Sequence, residues 1–200
     1  MLDVYVVTGD RHGEIRVRAG GTPVNAALAI GGGAAVVGRV GDDAAAAAIR
    51  HELGELELQL AVDRDLPTGT YVELADGTVF ASRGANAALA LDDVLPLDAD
   101  AVLLSGYVDL PVLEQVDARW RAFICTPTTR AVPPAANVVF ANDEEAARLE
   151  LGRREILVIT HGALGSTVYR GGNAVAAGPT GDDATGAGDR LAGRFLSRLL

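Results

Sequence analysis

Apolar residues along this chain alternate between short runs rich in β-branched residues and longer stretches rich in alanine and leucine. The short runs are typical of strands and the longer stretches of helices, an alternation that indicates parallel strands covered by helices. Most runs are apolar throughout, as in strands buried on both faces. We therefore predict strands at residues 4–8, 35–40, 56–62, 101–105, 122–126, 137–141 and 156–160.

Capping residues and glycines mark the helix boundaries. Thr22-Pro23 predicts a helix that ends at the glycines 31–33, because proline is favoured at the first helical position. Asp42-Asp43 begins an alanine-rich helix that stops near Gly54. Further helices are predicted over residues 111–121, over residues 142–151, and in a last segment whose apolar positions are Leu191, Phe195, Leu196 and Leu199.

Two hairpins interrupt this alternation. Asp76-Gly77, a strong hairpin signal, lies between apolar runs at 71–74 and 79–81, and residues 14–18 alternate like a half-exposed strand. Together they predict a small sheet projecting from the main one, with strands at about 13–19 and 70–82. A second hairpin is expected at Gly171-Gly172.

Length and charge narrow the class of protein. The 200 residues are 49% apolar and contain no polar linker, so we expect one domain over residues 1–200. The formal net charge of -10 argues against nucleic acid or an anionic membrane as partner. The N-terminus has no basic leader and only a short apolar run, so a cytoplasmic protein is expected.

The reactive residue types exclude several kinds of site. All 17 basic residues are arginine, which excludes a lysine-containing phosphate loop and a Schiff-base lysine. Cys125 is the one cysteine, so it forms no internal disulfide and is expected in the core. His12, His51 and His161 are too far apart along the chain for metal-ligand spacing.

A glycine-rich turn with the sequence DATGAGD, residues 183–189, precedes the last helical pattern. Gly186 and Gly188 carry no Cβ, so an anion can approach the backbone, and the N–H groups of a new helix point at it. Asp189 could accept a proton from a hydroxyl that attacks a γ-phosphate. In a simpler interpretation, Thr185 or Gly186 caps the helix and Asp189 complements the helix dipole.

Further motifs accompany this turn in a fixed order. They are GGTPVNAA at 20–27 with VGRVGDD at 37–43, PTGT at 67–70 with RGAN at 83–86, NDEE at 142–145, and THGALG at 160–165. In this order, and followed by DATGAGD, they resemble the motifs of the ribokinase-like (PfkB) family of carbohydrate and nucleoside kinases. The resemblance covers the chain from about residue 4 to its last residue.

The resemblance implies a fold and a reaction. The fold is a three-layer α/β sandwich with a mostly parallel central sheet flanked by helices, plus a small β lid. The reaction is ATP-dependent transfer of the γ-phosphate to a hydroxymethyl group of a small carbohydrate or nucleoside. Asp189 is the expected base, and the N–H groups of Gly186, Ala187 and Gly188 form the expected anion hole. ATP and Mg²⁺ are the implied cofactors, and whether a monovalent cation assists is left open.

Residues for the acceptor follow from the same resemblance. Gly20 and Gly21 precede a helix N-terminus, and Asn25 offers both a donor and an acceptor to a sugar ring. On its own, Asn25 also fits a polar residue on the exposed side of its helix. Asp10 is the best candidate for the family's sugar-binding aspartate, with Glu14 as the other choice; a solvated turn residue is the alternative for both.

Residues for the nucleotide come next. Asn142, Thr160, Gly162 and Gly165 are expected at ATP, with Glu145 at Mg²⁺ through water. Asn142 and Glu145 also fit a helix-capping pair, and both roles can hold together. His161 is expected at the surface or at the adenine edge. Arg39 or Arg83 could add positive charge to the phosphate site, but both are expected to be surface residues.

The family pattern continues past the last helix, whereas this sequence stops at Leu200. We therefore expect that the adenine site is abbreviated, that a partner subunit completes it, or that nucleotide binding is weakened or lost. Leu199 and Leu200 would be exposed in a monomer, which favours an oligomer such as a homodimer. A non-catalytic sugar- or nucleotide-binding protein on the same scaffold is the alternative function. A Rossmann oxidoreductase is disfavoured because the glycines 31–33 follow a helix and not a strand.

Overall fold

A computed structural model describes residues 1–6, 15–178 and 186–200 of the chain. The chain divides into two compact units, Met1–Val94 and Leu95–Leu200. Both units combine helices with strands, which confirms the predicted α/β class. The expected single domain over residues 1–200 stays a prediction. Among the described helices, none has the length and apolar character needed to cross a bilayer.

The described residues of the first unit form two sheets and two α-helices. The four-stranded sheet has the order β2-β1-β5-β6, with β1 antiparallel to β2 and parallel to β5. The strands β3 and β4 form a separate parallel pair. The elements are β1 (Leu2–Val6), β2 (Ile15–Ala19), α1 (Thr22–Ile30), β3 (Ala35–Gly41), α2 (Ala44–Glu52), β4 (Glu57–Asp63), β5 (Thr70–Glu73) and β6 (Val79–Ser82), with 3₁₀ turns at Gly84–Ala88 and Leu91–Asp93.

The strands predicted for the projecting sheet are thus present, and β1 joins them. Val17, Val4, Val72 and Phe80 are partners in one row across the four strands, so they share one face. On the same face Leu2 and Ala19 pack against the core below, whereas Phe80 is 60% exposed. The core of this unit comprises Ala19, Val24, Ala27, Val36, Ile49 and Leu53.

Asp43 connects α2 to the segment that precedes β5. Its carboxylate caps the helix by accepting the Ala46 N–H at 2.9 Å, and it also accepts the N–H and the hydroxyl of Thr68, each at 2.7 Å. The Thr68 hydroxyl oxygen in turn accepts the Gly41 N–H at 2.9 Å. These hydrogen bonds, led by that of the Thr68 N–H, hold the pKa of Asp43 below its ordinary value. The motifs at 37–43 and 67–70 therefore stabilise the unit itself.

Arg39 is paired with two carboxylates of the same unit. Its Nε lies 3.0 Å from Asp63 Oδ2, and its Nη1 lies 2.7 Å from Asp93 Oδ2. Its backbone N–H donates to Asn86 Oδ1 at 3.3 Å. Two acidic side chains therefore pair with one half-buried guanidinium. Arg83 is exposed, as expected.

The second unit is built on a six-stranded sheet with the order β12-β11-β10-β9-β8-β7. The strands β7 to β10 are parallel, and β11 and β12 form the antiparallel hairpin expected around Gly171-Gly172. The elements are β7 (Ala101–Ser105), β8 (Trp120–Ile124), β9 (Val138–Asn142), α3 (Asp143–Arg148), β10 (Ile156–Thr160), β11 (Ser166–Arg170), β12 (Asn173–Gly178) and α4 (Ala187–Ser197), with a 3₁₀ turn at Gly162–Leu164.

Helix α4 packs on one face of this sheet. The Phe195 and Phe140 rings meet edge to face, with centroids 5.8 Å apart. Leu199 packs partly buried against the same core, and Leu200 is exposed. The expectation that both terminal leucines are exposed is therefore wrong for Leu199. The core comprises Ala122, Ile124, Val138, Phe140, Ile156, Val158, Ala192 and Leu196.

One predicted helix does not form, and the predicted bounds of β8 and α3 are wrong. Residues 111–121 form no helix: Val112, Leu113 and Val116 are buried, as the pattern required, but the chain makes isolated turns between β7 and β8. Burial of these side chains needs no regular helix. The strand β8 begins two residues before its predicted start, and it ends at Ile124, before the predicted end at residue 126. Helix α3 ends at Arg148 and not near residue 151, because the backbone becomes extended at buried Leu149.

Replacing Asp43 by alanine removes the cap of α2 and the acceptor for Thr68. We expect Asp43→Ala to lower the free energy of unfolding by about 1–2 kcal/mol at pH 7. Because the pKa of Asp43 is lowered in the folded state, this stabilisation is present above the unfolded-state pKa and is lost as pH falls through the folded-state pKa. Urea unfolding at pH 7 and pH 3 checks this, with Asp42→Ala as the exposed neighbouring control. Equal losses at both pH values would contradict it.

Candidate functional site

Polar residues of the second unit gather where its parallel strands end. The strand β9 ends at Asn142 and β10 ends at Thr160, and these two residues are register partners. Ligands of open α/β sheets bind outside the carboxyl ends of the strands. The sheet therefore brings two of the predicted nucleotide motifs, NDEE and THGALG, to adjacent positions.

The predicted capping pair at the start of α3 is confirmed. Asn142 Oδ1 accepts the Glu145 N–H at 2.8 Å, and Glu145 Oε2 accepts the Asn142 N–H at 3.0 Å. Glu145 is only 6% exposed. Burial raises the pKa of Glu145 above its ordinary value, and the charges of Glu144 and Asp189 act in the same direction. Ionised Glu145 is therefore held at a cost in the folded protein.

Helix α4 begins at a glycine in the left-handed region. Gly186, with φ 80°, is the N-cap residue, and its carbonyl accepts the Arg190 N–H at 3.0 Å. The simpler interpretation, in which Thr185 or Gly186 caps the helix, is thus correct for Gly186. Thr185 and the rest of residues 183–185 lie outside the described residues. Among residues 1–6, 15–178 and 186–200, a Cβ placed on Gly188 would meet no atom within 4 Å beyond its own helix backbone and chain neighbours. Packing therefore does not require glycine at position 188.

Asp189 belongs to a group of acidic side chains in this unit. It lies in the first turn of α4, and its charge raises the pKa of Glu145. Burial raises the pKa of the Tyr107 hydroxyl, and the charges of Asp189 and Glu145 raise it further. Two carboxylates that disfavour each other's ionised form provide an environment that a cation would stabilise.

The turn at 160–165 follows β10. Two glycines of this turn have positive φ, 57° at Gly162 and 108° at Gly165, and the His161 N–H donates to the Gly165 carbonyl at 2.8 Å. The His161 ring bonds through Nδ1 to Asp143 Oδ1 at 2.7 Å and through Nε2 to Thr167 Oγ1 at 2.9 Å. Both ring nitrogens are therefore engaged within the protein, and the expectation that His161 lies at the surface or at an adenine edge stays a prediction.

In the first unit, the glycine pair lies against a buried carboxylate. A Cβ on Gly20 would lie 1.8 Å from Asp3 Oδ2, and Asp3 is 5% exposed. The Gly20 N–H donates to the Met1 carbonyl at 3.0 Å, so it is not the sugar donor that the motif suggested. Glycine at position 20 instead makes room for Asp3. Sequence reasoning missed Asp3, although a charged residue inside an apolar strand was the signal.

Asn25 lies one turn into α1 and is 7% exposed. The alternative of a polar residue on the exposed side of the helix is therefore wrong. Gly21, with φ 95°, is the N-cap residue, and its carbonyl accepts the Asn25 N–H at 3.0 Å. Asp10 and Glu14 lie outside the described residues. The described part of this region thus combines Asp3, Gly20, Gly21 and Asn25.

Other reactive side chains are accounted for. Cys125 is buried, as expected, and burial raises the pKa of its thiol to about 12. A thiol held so far from ionisation is not a nucleophile at neutral pH. Within residues 1–6, 15–178 and 186–200, no three His, Cys, Asp or Glu side chains are grouped to hold a metal directly. A metal here would need ligands from elsewhere, such as phosphates or water.

Several solved structures with this fold are kinases of sugars or nucleosides. Adenosine kinase from Anopheles gambiae, in complex with P1,P4-di(adenosine-5) tetraphosphate, has a TM-score of 0.77 at 19% identity, over 100% of this chain and 89% of that chain. Ribokinase from Arabidopsis thaliana, complexed with ribose and ATP, has a TM-score of 0.76 at 21% identity, over 99% of this chain and 82% of that chain. Fructokinase from Vibrio cholerae O395, bound to fructose, ADP and calcium, has a TM-score of 0.71 at 22% identity, over 99% of this chain and 81% of that chain.

These likenesses confirm the predicted ribokinase-like fold. No family model matches the sequence, and no curated protein matches it. At 19–22% identity the likeness concerns the fold alone.

The buried charge of Glu145 gives a stability test. Glu145→Gln keeps an oxygen that can accept the Asn142 N–H but removes the charge. Because the folded-state pKa is raised, ionisation destabilises the fold as pH rises through that pKa. We expect E145Q to unfold at a higher urea concentration than the wild type at pH 7, with the difference disappearing below about pH 4. Exposed Glu144→Gln is the control, and lower stability of E145Q at pH 7 would contradict this account.

Proposed function

We propose that this protein is an ATP-dependent kinase that transfers the γ-phosphate to a hydroxymethyl group of a small carbohydrate or nucleoside. The observation that carries the proposal is the start of α4, where a left-handed glycine cap, a glycine with open space around it in the described part of the chain, and a carboxylate occupy one turn. The ribokinase-like fold supports the same class of reaction, since neighbours with this fold are sugar and nucleoside kinases.

The phosphate is held by the N-terminus of α4. The first N–H groups of a helix have no partner within the helix, and the helix dipole favours an anion there. In this proposal the N–H groups of Gly186, Ala187 and Gly188 bind the transferred phosphoryl group. The chain has a net charge of -10 and no lysine, so nearby N–H groups have to bind the phosphate in place of an excess of basic side chains.

Asp189 acts as the base. It accepts the proton of the acceptor hydroxyl as the oxygen of that hydroxyl attacks the γ-phosphorus. Most of the catalysis comes from positioning and from charge stabilisation, because phosphoryl transfer requires little covalent chemistry from the protein.

Glu145 organises Mg²⁺ on the nucleotide. The fit of Glu145 to a cation rests on its raised pKa. Burial and the charge of Asp189 disfavour the ionised carboxylate, and a bound cation would stabilise it. Mg²⁺ commonly retains several waters and binds through one or two carboxylates plus phosphates, which agrees with the lack of a direct metal cluster among the described residues. When bound, Mg²⁺ neutralises charge on the phosphates. Asn142, Thr160, Gly162 and Gly165 bind the remainder of the ATP.

The acceptor is bound by residues of the first unit. Gly21 allows close approach to the backbone, Gly20 makes room for Asp3, and Asn25 offers a donor and an acceptor. We add Asp3 to this set, because a carboxylate accepts hydrogen bonds from sugar hydroxyls and Asp3 lies directly against Gly20. Asp10 keeps its proposed role beside them. We further propose that the protein acts in the cytoplasm, and that association into a homodimer accompanies this function.

Replacing Asp189 tests the base. We expect Asp189→Asn to lower turnover by roughly 10²-fold or more while ATP and acceptor affinities change by a small factor, because only proton transfer is lost. ADP release, measured with a panel of sugars and nucleosides, provides the readout. Exposed Asp117→Asn is the matched control. Unchanged turnover in D189N would remove Asp189 from the mechanism.

The same panel tests the activity as a whole. Acceptor-dependent ADP release supports a kinase and identifies its substrate. Thermal stabilisation by a sugar without any ADP release from the wild type would instead support the binding protein and contradict the kinase.

Gly188→Ala separates folding from phosphate binding. The new methyl group has room, and alanine is favoured over glycine in helices, so we expect a gain of about 0.5–1 kcal/mol in stability. Turnover is expected to fall by roughly tenfold or more, since the methyl group blocks close approach of a phosphate to the backbone. Urea unfolding and ADP release measure the two effects. Gly32→Ala, whose Cβ also enters open space, is the control; unchanged turnover in G188A would contradict the anion hole.

A further inference from the structure

One imidazole connects three neighbouring strands at the edge where the nucleotide motifs meet. Asn142 and Thr160 are register partners at the ends of β9 and β10, so the residues that follow them, Asp143 and His161, leave the sheet side by side. His161 Nδ1 bonds to Asp143 Oδ1 at 2.7 Å. Its Nε2 bonds to Thr167 Oγ1, on β11, at 2.9 Å.

The hydrogen-bonding chemistry of Asp143 and Thr167 determines which nitrogen of the His161 ring donates and which accepts. An ionised carboxylate only accepts, so Asp143 holds the proton of a neutral imidazole on Nδ1. Nε2 then accepts the hydroxyl proton of Thr167. In a protonated ring both nitrogens donate, to the carboxylate and to the hydroxyl oxygen. Both contacts are therefore satisfied in either state, and the ring keeps one orientation.

The middle of the turn that His161 begins is exposed to solvent. Leu164 is 90% exposed, and the hydrogen bonds of the His161 and Gly165 N–H groups stay within the turn. Gly162 and Gly165 have positive φ, a backbone conformation that other residues rarely adopt. The imidazole ties this turn to the N-terminus of α3, where Asn142 and Glu145 lie.

We infer that His161 is a positioning residue for the nucleotide, which holds the turn at 160–165 against the start of α3 through Asp143. The inference rests on the proposed function, in which both segments bind ATP. A turn ordered before binding does not have to be ordered by the ligand, so the tether contributes to nucleotide affinity. It does not touch the reacting atoms, so the rate of the bound complex is unaffected.

Substitutions at the two ends of the tether test the inference. We expect His161→Ala and Asp143→Ala each to raise the Kd and KM for ATP by about fivefold, with kcat within about twofold of wild type. In the double variant the effects should be no larger than in either single one, because the residues act through one contact. His51→Ala, an exposed histidine on α2, is the control.

Isosteric variants separate the two arms of the ring. The amide nitrogen of Asn superimposes on Nδ1, so His161→Asn keeps a donor for Asp143. The amide of Gln superimposes on Nε2, so His161→Gln keeps a partner for Thr167 alone. We expect His161→Asn to restore ATP affinity and His161→Gln to behave like His161→Ala. Thr167→Val, which removes only the hydroxyl, should change ATP affinity by less than twofold.

Direct ATP and ADP binding by calorimetry, with amide hydrogen exchange of residues 161–165 in the free protein, provides the readouts. Faster exchange in His161→Ala with weaker nucleotide binding supports the inference. Wild-type affinity in both His161→Ala and Asp143→Ala would overturn it while leaving the kinase proposal intact. Absence of any nucleotide binding by the wild type would overturn the kinase proposal, and the inference with it.

Discussion

The packing of α4 on the parallel sheet is the constraint on which the candidate site of the second unit depends. Ala192 and Leu196 fill the sheet face, and Phe195 meets Phe140 edge to face. These buried contacts fix the helix, and so fix where its first turn begins. Gly186 and Asp189 contribute little to that packing, which leaves the first turn free to carry chemistry while the apolar half of the helix supplies stability.

Two acidic residues show how environment decides between structure and function. Asp43 accepts three hydrogen bonds within its own unit, and its lowered pKa shows that the fold stabilises its charge. Glu145 is more deeply buried, is repelled by Asp189, and has a raised pKa. The packing around Glu145 thus disfavours its ionised form. In the proposed function, a cation bound with a nucleotide would offset that cost.

Features that depend on neighbouring residues could be predicted from the sequence, and features that depend on distant segments could not. The Asn142–Glu145 capping pair, the Asp76-Gly77 hairpin and the glycine cap of α4 are local, and the structure contains all three. The burial of Asn25, the contact of Asp3 with Gly20 and the two partners of His161 depend on which strands pair, and the apolar pattern does not specify pairing. The false helix at 111–121 has the same origin, since buried apolar residues at helical spacing are also compatible with an irregular crossover.

The central claim is that the first turn of α4 receives the terminal phosphate of a nucleotide. Amide hydrogen exchange, compared with and without a non-hydrolysable ATP analogue and Mg²⁺, measures this at the N–H groups concerned. The account predicts that exchange slows at residues 186–189, whose N–H groups lack partners within the helix, and also at 142–145 and 160–165. Slowing at the latter two segments with unchanged exchange at 186–189, or no slowing at any of them, would contradict it.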